Sequence, residues 1–149
     1  LDNIWDGLGT LIVDYPEMDY FFGKMTMYDS YNRMARNMIL NFLERHFKGD
    51  EALVAPFEPV SLERERKGVK AFFNNSLAED FKLLNKNIRD LKETIPPLIK
   101  TYISLSPTMQ YFGASANKEF GEVEEIAILI TIRDIYDEKK KRHVDSYRK

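Results

Sequence analysis

Within residues 123–134, an isoleucine occupies every second position from 126 to 132: Ile126, Ile128, Ile130 and Ile132. A period of two is typical of a β-strand, because successive side chains point to opposite faces of the sheet. Ala127 and Leu129 make the second face apolar as well. A strand that is apolar on both faces is favoured at the centre of a covered sheet, so the rest of the chain must supply flanking strands and helices.

The remaining elements follow from periodicity and from start and stop signals. We predict strands at residues 19–28 and 109–116 and helices at residues 2–15, 32–47, 76–91, 97–105 and 136–147. Ser76 and Glu79 have the spacing of a capping box. Gly7 and Gly9 lie inside the first helix, where they indicate either a close approach by another group or a loosely formed helix. The order of elements predicts an α+β fold with a small sheet.

Composition limits the function classes. The 149 residues are enough for one domain, and 31% charged with 44% hydrophobic residues predicts a soluble globular protein. The chain has no cysteine, which excludes disulfides and thiol chemistry and fits a cytoplasmic location. The net charge of −2 is uneven, because basic residues are concentrated at the end of the chain, in a run comprising Lys139, Lys140, Lys141 and Arg142.

The chain contains few sequence motifs that indicate a catalytic function. The chain has no P-loop, no G-x-G-x-x-G and no G-x-S-x-G sequence. His46 and His143 lack a second ligand at zinc-binding spacing, so no metal site is predicted. We expect the acidic cluster of Glu119, Glu122, Glu124 and Glu125 to be an exposed turn. The acidic body argues against nucleic-acid binding.

Three stretches are familiar together: LDNIWDGLGTLIVDYPEMDYFFGKMTM, IPPLIKTYISLSPTMQYFGASANKEFGEVEEIAILITI and EKKKRHVDSY. They resemble the bacterial hemolysin family, whose members are N-acyltransferase-like proteins of the GNAT superfamily, related to the enzymes that begin ornithine and glycine lipid synthesis. The resemblance implies a GNAT-like small mixed sheet flanked by helices. It also implies one domain over residues 1–149, with a helical insert at residues 61–105.

The resemblance implies a site at the junction of the first strand and the second helix. In the superfamily, the pantetheine arm of an acyl thioester lies in a notch between two splayed central strands. Residues 20–28 would be the second of these strands, which places Met25, Thr26 and Met27 beside the donor. Asn32 corresponds to an asparagine that contacts the pantetheine. Tyr28 and Tyr31 are the candidates for the acid that protonates the departing thiolate, with simple packing as the alternative for each. The acyl thioester, carried by acyl carrier protein or coenzyme A, would be a co-substrate and not a tightly bound cofactor.

One departure concerns the glycine-containing loop that cradles the donor's pyrophosphate in the superfamily. The closest stretch, residues 66–71, has the wrong spacing and the wrong place in the chain. We therefore expect this chain to be the C-terminal part of the fold and inactive by itself. Residues 20–28 would then form an open sheet edge, which favours a homo-oligomer.

Two hypotheses about the function remain. The first is transfer of a fatty acyl group to the amine of an amino acid, as in ornithine or glycine lipid synthesis, with the basic run at residues 139–142 contacting an acidic acyl carrier protein. The alternative is a non-catalytic interaction module or a peripheral membrane protein. For either reading we expect a cytoplasmic protein, with peripheral contact to the inner membrane left open.

Overall fold

The computed structural model describes residues 2–60 and 75–145. Helices and strands follow one another in the predicted order in these residues, which confirms a mixed α and β fold. The elements are α1 (Asp2–Asp14), β1 (Tyr20–Met27), α2 (Arg33–Phe47), α3 (Leu77–Asp90), α4 (Pro97–Ile103), β2 (Gln110–Asn117), β3 (Val123–Thr131) and α5 (Asp137–His143). Short 3-10 turns at Lys118–Phe120 and Ile132–Asp134 follow β2 and β3.

The three strands form one sheet in the order β1-β3-β2. The isoleucine-rich strand β3 is central, as its two apolar faces predict, and Ile126, Ile128 and Ile130 are each at most 1% exposed. A small mixed sheet was predicted. In the described residues the sheet has three antiparallel strands, and this arrangement is compatible with part of a GNAT-like fold. In this strand order β1 is an edge strand, as expected for residues 20–28.

The chain divides into two compact units. The first contains Leu1–Phe22, Pro97–Met109 and Leu129–Lys149, and the second contains Gly23–Pro96 and Gln110–Ile128, within the described residues. The organisation as a single domain with an insert at residues 61–105 stays a prediction. Residues 61–74 of that insert lie outside the described residues.

In the second unit, α2 and α3 supply about half of the buried apolar residues. α2 buries the side chains Ile39, Leu40, Phe42 and Leu43, and α3 buries Leu84 and Ile88. The predicted capping box begins α3: the Ser76 hydroxyl accepts from the Glu79 N–H, and the Glu79 carboxylate accepts from the Ser76 N–H. The reciprocal bonds satisfy backbone donors that a helix start would otherwise leave free.

In the first unit, α1 lies close to the end of α5. A Cβ placed on Gly9 would fall 1.6 Å from the carbonyl oxygen of His143, whereas one on Gly7 would meet nothing within 4 Å. Gly9 therefore permits the His143 backbone to lie close to α1. Of the two explanations predicted for Gly9, a close approach or a loosely formed helix, the close approach is the one observed. Gly7 serves no such contact among the described residues.

Two predicted ends differ from the structure by more than two residues. The strand predicted to continue to residue 134 ends at Thr131, because the chain then turns as a 3-10 helix and the Ile135 N–H bonds to the Ile132 carbonyl. The last helix, predicted over residues 136–147, covers Asp137–His143, and residues 146–147 lie outside the described residues. Within the described residues, none of the helices has the length and apolarity needed to cross a membrane.

Candidate functional site

The predicted site is the corner, defined here as residues 28–32, which links β1 to α2. The Tyr31 N–H donates to the Tyr28 carbonyl at 3.0 Å, which closes the turn through Asp29 and Ser30. The chain then enters α2 directly at Arg33. The corner is thus an ordered turn in the second unit, and its conformation fixes where its side chains lie.

Asn32 is the N-cap of α2. Its side-chain oxygen accepts from the N–H groups of Met34 at 3.0 Å and Ala35 at 3.2 Å. Its own N–H points to a carboxylate oxygen of Glu93 at 3.3 Å. The capping role occupies the side-chain oxygen, so the side-chain NH₂ group is what Asn32 has left for a ligand.

The two tyrosines of the corner have different surroundings. The Tyr31 hydroxyl donates to the Thr94 carbonyl at 2.9 Å, and burial together with the nearby Glu93 raises the pKa of Tyr31 to about 12. Tyr31 therefore stays a neutral phenol at physiological pH. The Tyr28 side chain is 65% exposed.

The strand residues predicted to lie beside the donor point in opposite directions. Met25 and Met27 are 3% and 4% exposed and belong to the core, whereas Thr26 is half-buried. The methionine side chains are thus committed to packing. What β1 offers to a ligand is its backbone edge and the Thr26 side chain.

Sequence reasoning missed two neighbours of the corner, Glu93 and Thr94. They lie in the turn that follows α3, more than sixty residues after Tyr31 and Asn32. Neither belongs to a motif, and no local signal in the chain marks them. Their proximity follows only from the packing of α3 against α2 in the second unit.

Comparison with known proteins gives two relatives. The chain is 49% identical over 148 residues to a protein of Phocaeicola vulgatus, and 50% identical over 148 residues to one of Bacteroides thetaiotaomicron; both are called glycine N(alpha)-acyltransferase. The matches cover 99% of this chain but 45% and 44% of the relatives, so the chain spans about half their length. The chain is thus similar to part of two acyltransferases.

The other comparisons add no family or fold. No protein-family model matches the chain. No solved structure matches it. The hemolysin and GNAT family assignments, and the place of this chain at the C-terminal end of a longer fold, therefore stay predictions. The stretch at residues 66–71, compared above with a pyrophosphate loop, lies outside the described residues.

We expected the acidic cluster to be an exposed turn, but only part of it is exposed. Glu124 accepts two hydrogen bonds from the guanidinium of Arg36, whose side chain is buried, and Glu125 pairs with Lys24 at 2.6 Å. Glu119 and Glu122 are exposed. Because successive residues of a strand point to opposite faces, Glu124 and Glu125 lie on opposite faces of β3. The sequence of the cluster does not indicate these two ion pairs.

The two histidines each contact one aspartate. His46 Nε2 lies 2.9 Å from Asp80 Oδ2 in the second unit, and His143 Nδ1 lies 2.8 Å from Asp6 Oδ1 in the first. In the described parts of the chain, no group of three or more histidine and acidic side chains has the geometry to hold a metal ion. Each histidine therefore has a partner that accounts for its position between helices.

Proposed function

We propose that the chain is part of an N-acyltransferase that moves an acyl group from a thioester to the amine of a small amino acid. The observation that carries the proposal is the identity of 49% and 50% over 148 residues with two proteins named for acylation of glycine. Glycine is accordingly the first acceptor to test. Ornithine is the second, from the resemblance to lipid-forming enzymes.

The chemistry needs an acid, a base and a site for the oxyanion. The amine attacks the thioester carbonyl, the C–N bond forms, and the C–S bond breaks to release a thiolate. A phenol can supply the proton that the thiolate takes. The corner offers two phenols, Tyr28 and Tyr31, and the raised pKa of Tyr31 keeps that phenol neutral.

The donor's extended arm would lie along β1. An unpaired strand edge has free N–H and C=O groups, with which an amide-containing chain can pair as an added strand would. β1 pairs with β3 alone in the described sheet, which leaves its other edge for this purpose. The buried Met25 and Met27 anchor alternate residues of β1 in the core.

For the donor we propose a fatty acyl group on an acyl carrier protein, with coenzyme A as the competing carrier. The basic run supplies the contact. Lys141 and Arg142 are exposed. The Lys140 ammonium donates to the Arg133 carbonyl at 2.6 Å, and Lys139 lies 4.0 Å from Glu138. An acidic carrier would meet the exposed side chains of the run, so replacing Lys141 and Arg142 by glutamate would raise KM for the acyl carrier substrate and leave KM for acyl coenzyme A unchanged.

The test is lipid mass spectrometry on cells that express the full-length natural protein. New N-acyl glycine or N-acyl ornithine, absent from cells that carry the Tyr28→Phe, Tyr31→Phe double variant, would support an acyltransferase. Membrane lysis without any new N-acyl amino acid would instead support the alternative, a peripheral membrane module. Purified protein with acyl carrier thioester and glycine then identifies the donor directly.

In the described sheet one edge of β1 is unpaired, and when no donor occupies it this edge supports a homo-oligomer, since exposed edges pair readily with other strands. Sedimentation over a wide range of protein concentration measures this. A dimer that dissociates on dilution is expected. A monomer at every concentration would count against the proposal.

A further inference from the structure

Two consecutive residues of the corner are held by two consecutive residues of one distant turn. The Tyr31 hydroxyl donates to the Thr94 carbonyl at 2.9 Å, and the Asn32 N–H donates to Glu93 Oε1 at 3.3 Å. All four residues belong to the second unit. We call Glu93 and Thr94 the latch.

The position of the latch is set by the core and not by the corner. The Glu93 N–H bonds to the Ile88 carbonyl at 3.1 Å, and Lys92 has a left-handed backbone with φ of 60°. Ile88 before the latch and Ile95 after it are 0% and 1% exposed. Because the turn is anchored on both sides, the corner is placed relative to the latch rather than the reverse.

The Glu93 carboxylate also lies where a helix favours negative charge. It accepts from the N–H of the N-cap residue of α2, at the end where the helix dipole is positive. The Asn32 side chain caps the same turn. Together they hold the first turn of α2 and therefore the direction in which the Asn32 side-chain NH₂ group points.

The hydroxyl of Tyr31 has one proton, and that proton is already used. A phenol donates one hydrogen bond, and the Thr94 carbonyl receives it. Tyr31 could protonate a departing thiolate only after breaking this bond, and burial beside Glu93 holds it as a neutral phenol. The exposed Tyr28, three residues earlier, has no such bond to the described residues.

On the basis of the proposed function, we infer that the two tyrosines have different roles. Tyr28 is the acid, and Tyr31 is a positioning residue that the latch holds and that thereby fixes the orientation of Asn32. In the step itself, the amine nitrogen bonds to the thioester carbonyl carbon, the C–S bond breaks, and the Tyr28 phenol gives its proton to the sulfur. The proton that the amine loses passes through water to the phenolate. Tyr31, Glu93 and Thr94 take no part in proton transfer.

The kinetic test compares four variants of the full-length protein with acyl thioester and glycine. Tyr28→Phe should lower kcat about 100-fold, the lower end of what a general acid contributes. Tyr31→Phe and Glu93→Ala should each raise KM for the thioester about 5-fold, as for one lost hydrogen bond, with kcat nearly unchanged. Glu93→Gln keeps an acceptor for the Asn32 N–H and should restore the native KM.

The pH profile separates the two roles further. A fall of kcat at alkaline pH should persist in Tyr31→Phe and disappear in Tyr28→Phe. A 100-fold loss of kcat in Tyr31→Phe with an unchanged KM would overturn the inference. So would a native kcat in Tyr28→Phe.

A structural measurement keeps the latch testable even if the proposed function fails. Amide hydrogen exchange in residues 28–36 should rise in Tyr31→Phe and Glu93→Ala, and stay native in Glu93→Gln. Tyr15→Phe, at a 53% exposed tyrosine in the first unit, is the matched control and should change nothing. Native exchange in both Tyr31→Phe and Glu93→Ala would show that the latch holds nothing, whatever the protein acylates.

Discussion

His46 Nε2 lies 2.9 Å from a carboxylate oxygen of Asp80, and the Asp80 side chain is completely buried. The contact joins the last turn of α2 to the first turn of α3. Both carboxylate oxygens of Asp80 also accept from Asn75, through its backbone N–H and its side-chain NH₂ group. Such a network stabilises only while every buried group keeps its partner.

Replacing Asp80 by alanine should therefore be costly, because it leaves the side chains of His46 and Asn75 without their acceptor. We expect the free energy of unfolding to fall by about 3 kcal/mol, as when one partner of a buried pair is removed. Urea denaturation measures the loss. Asp90→Ala, at an exposed position at the other end of α3, is the control and should change stability by less than about 0.5 kcal/mol. Equal effects of the two variants would contradict a special role for Asp80.

The same carboxylate predicts how stability depends on pH. Burial would raise the pKa of Asp80, but the hydrogen bonds from His46 and Asn75 outweigh burial and lower it. A carboxyl whose pKa is lowered by folding stabilises the folded state above its ordinary pKa of about 4, and this contribution is lost as the pH falls through the folded value. The stability difference between the native chain and Asp80→Asn should thus narrow on acidification below about pH 4. If the stability difference between the two proteins were the same at neutral and acidic pH, the lowered pKa of Asp80 would be contradicted.

The two glycines of α1 should respond in opposite ways to alanine. Gly9→Ala places a methyl group against the His143 carbonyl, and we expect a loss of about 2 kcal/mol or more from the forced separation of α1 and α5. Gly7→Ala adds a methyl group in open space on the same helix. It should stabilise by about 0.5–1 kcal/mol, the difference in helix propensity. Thermal unfolding of the two variants is the measurement, and a stabilising Gly9→Ala would refute the close approach.

Two ion pairs on β3 should differ in strength. The Arg36 side chain is buried and makes two hydrogen bonds to Glu124, whereas the Lys24 side chain, which pairs with Glu125, is 56% exposed. Double-mutant cycles with Arg36→Met and Glu124→Gln should give a coupling energy above about 1 kcal/mol. The matching cycle with Lys24→Met and Glu125→Gln should give at most about 0.5 kcal/mol, because solvent screens an exposed pair. Equal coupling energies would show that burial of the guanidinium adds nothing.

Local features of the sequence predicted the elements of this fold. The alternation of Ile126, Ile128 and Ile130 was enough to predict a central strand, because a period of two and apolarity on both faces are properties of neighbouring residues. The capping box of Ser76 and Glu79 was equally local. The end of β3 was less predictable: Ile132 continues the alternation, but the chain leaves the sheet there to make its 3-10 turn.

The tertiary structure decided which distant side chains meet. Glu93 and Thr94 reach Tyr31 and Asn32 across some sixty residues, and Arg36 reaches Glu124 across 88. None of these contacts has a spacing that the chain itself imposes. By itself, the sequence determined the helices, the strands and the corner between β1 and α2, since those depend on residues a few positions apart. Only the packing of α3 against α2, and of α2 against the sheet, determined what surrounds the corner, because burial of the shared core sets those distances.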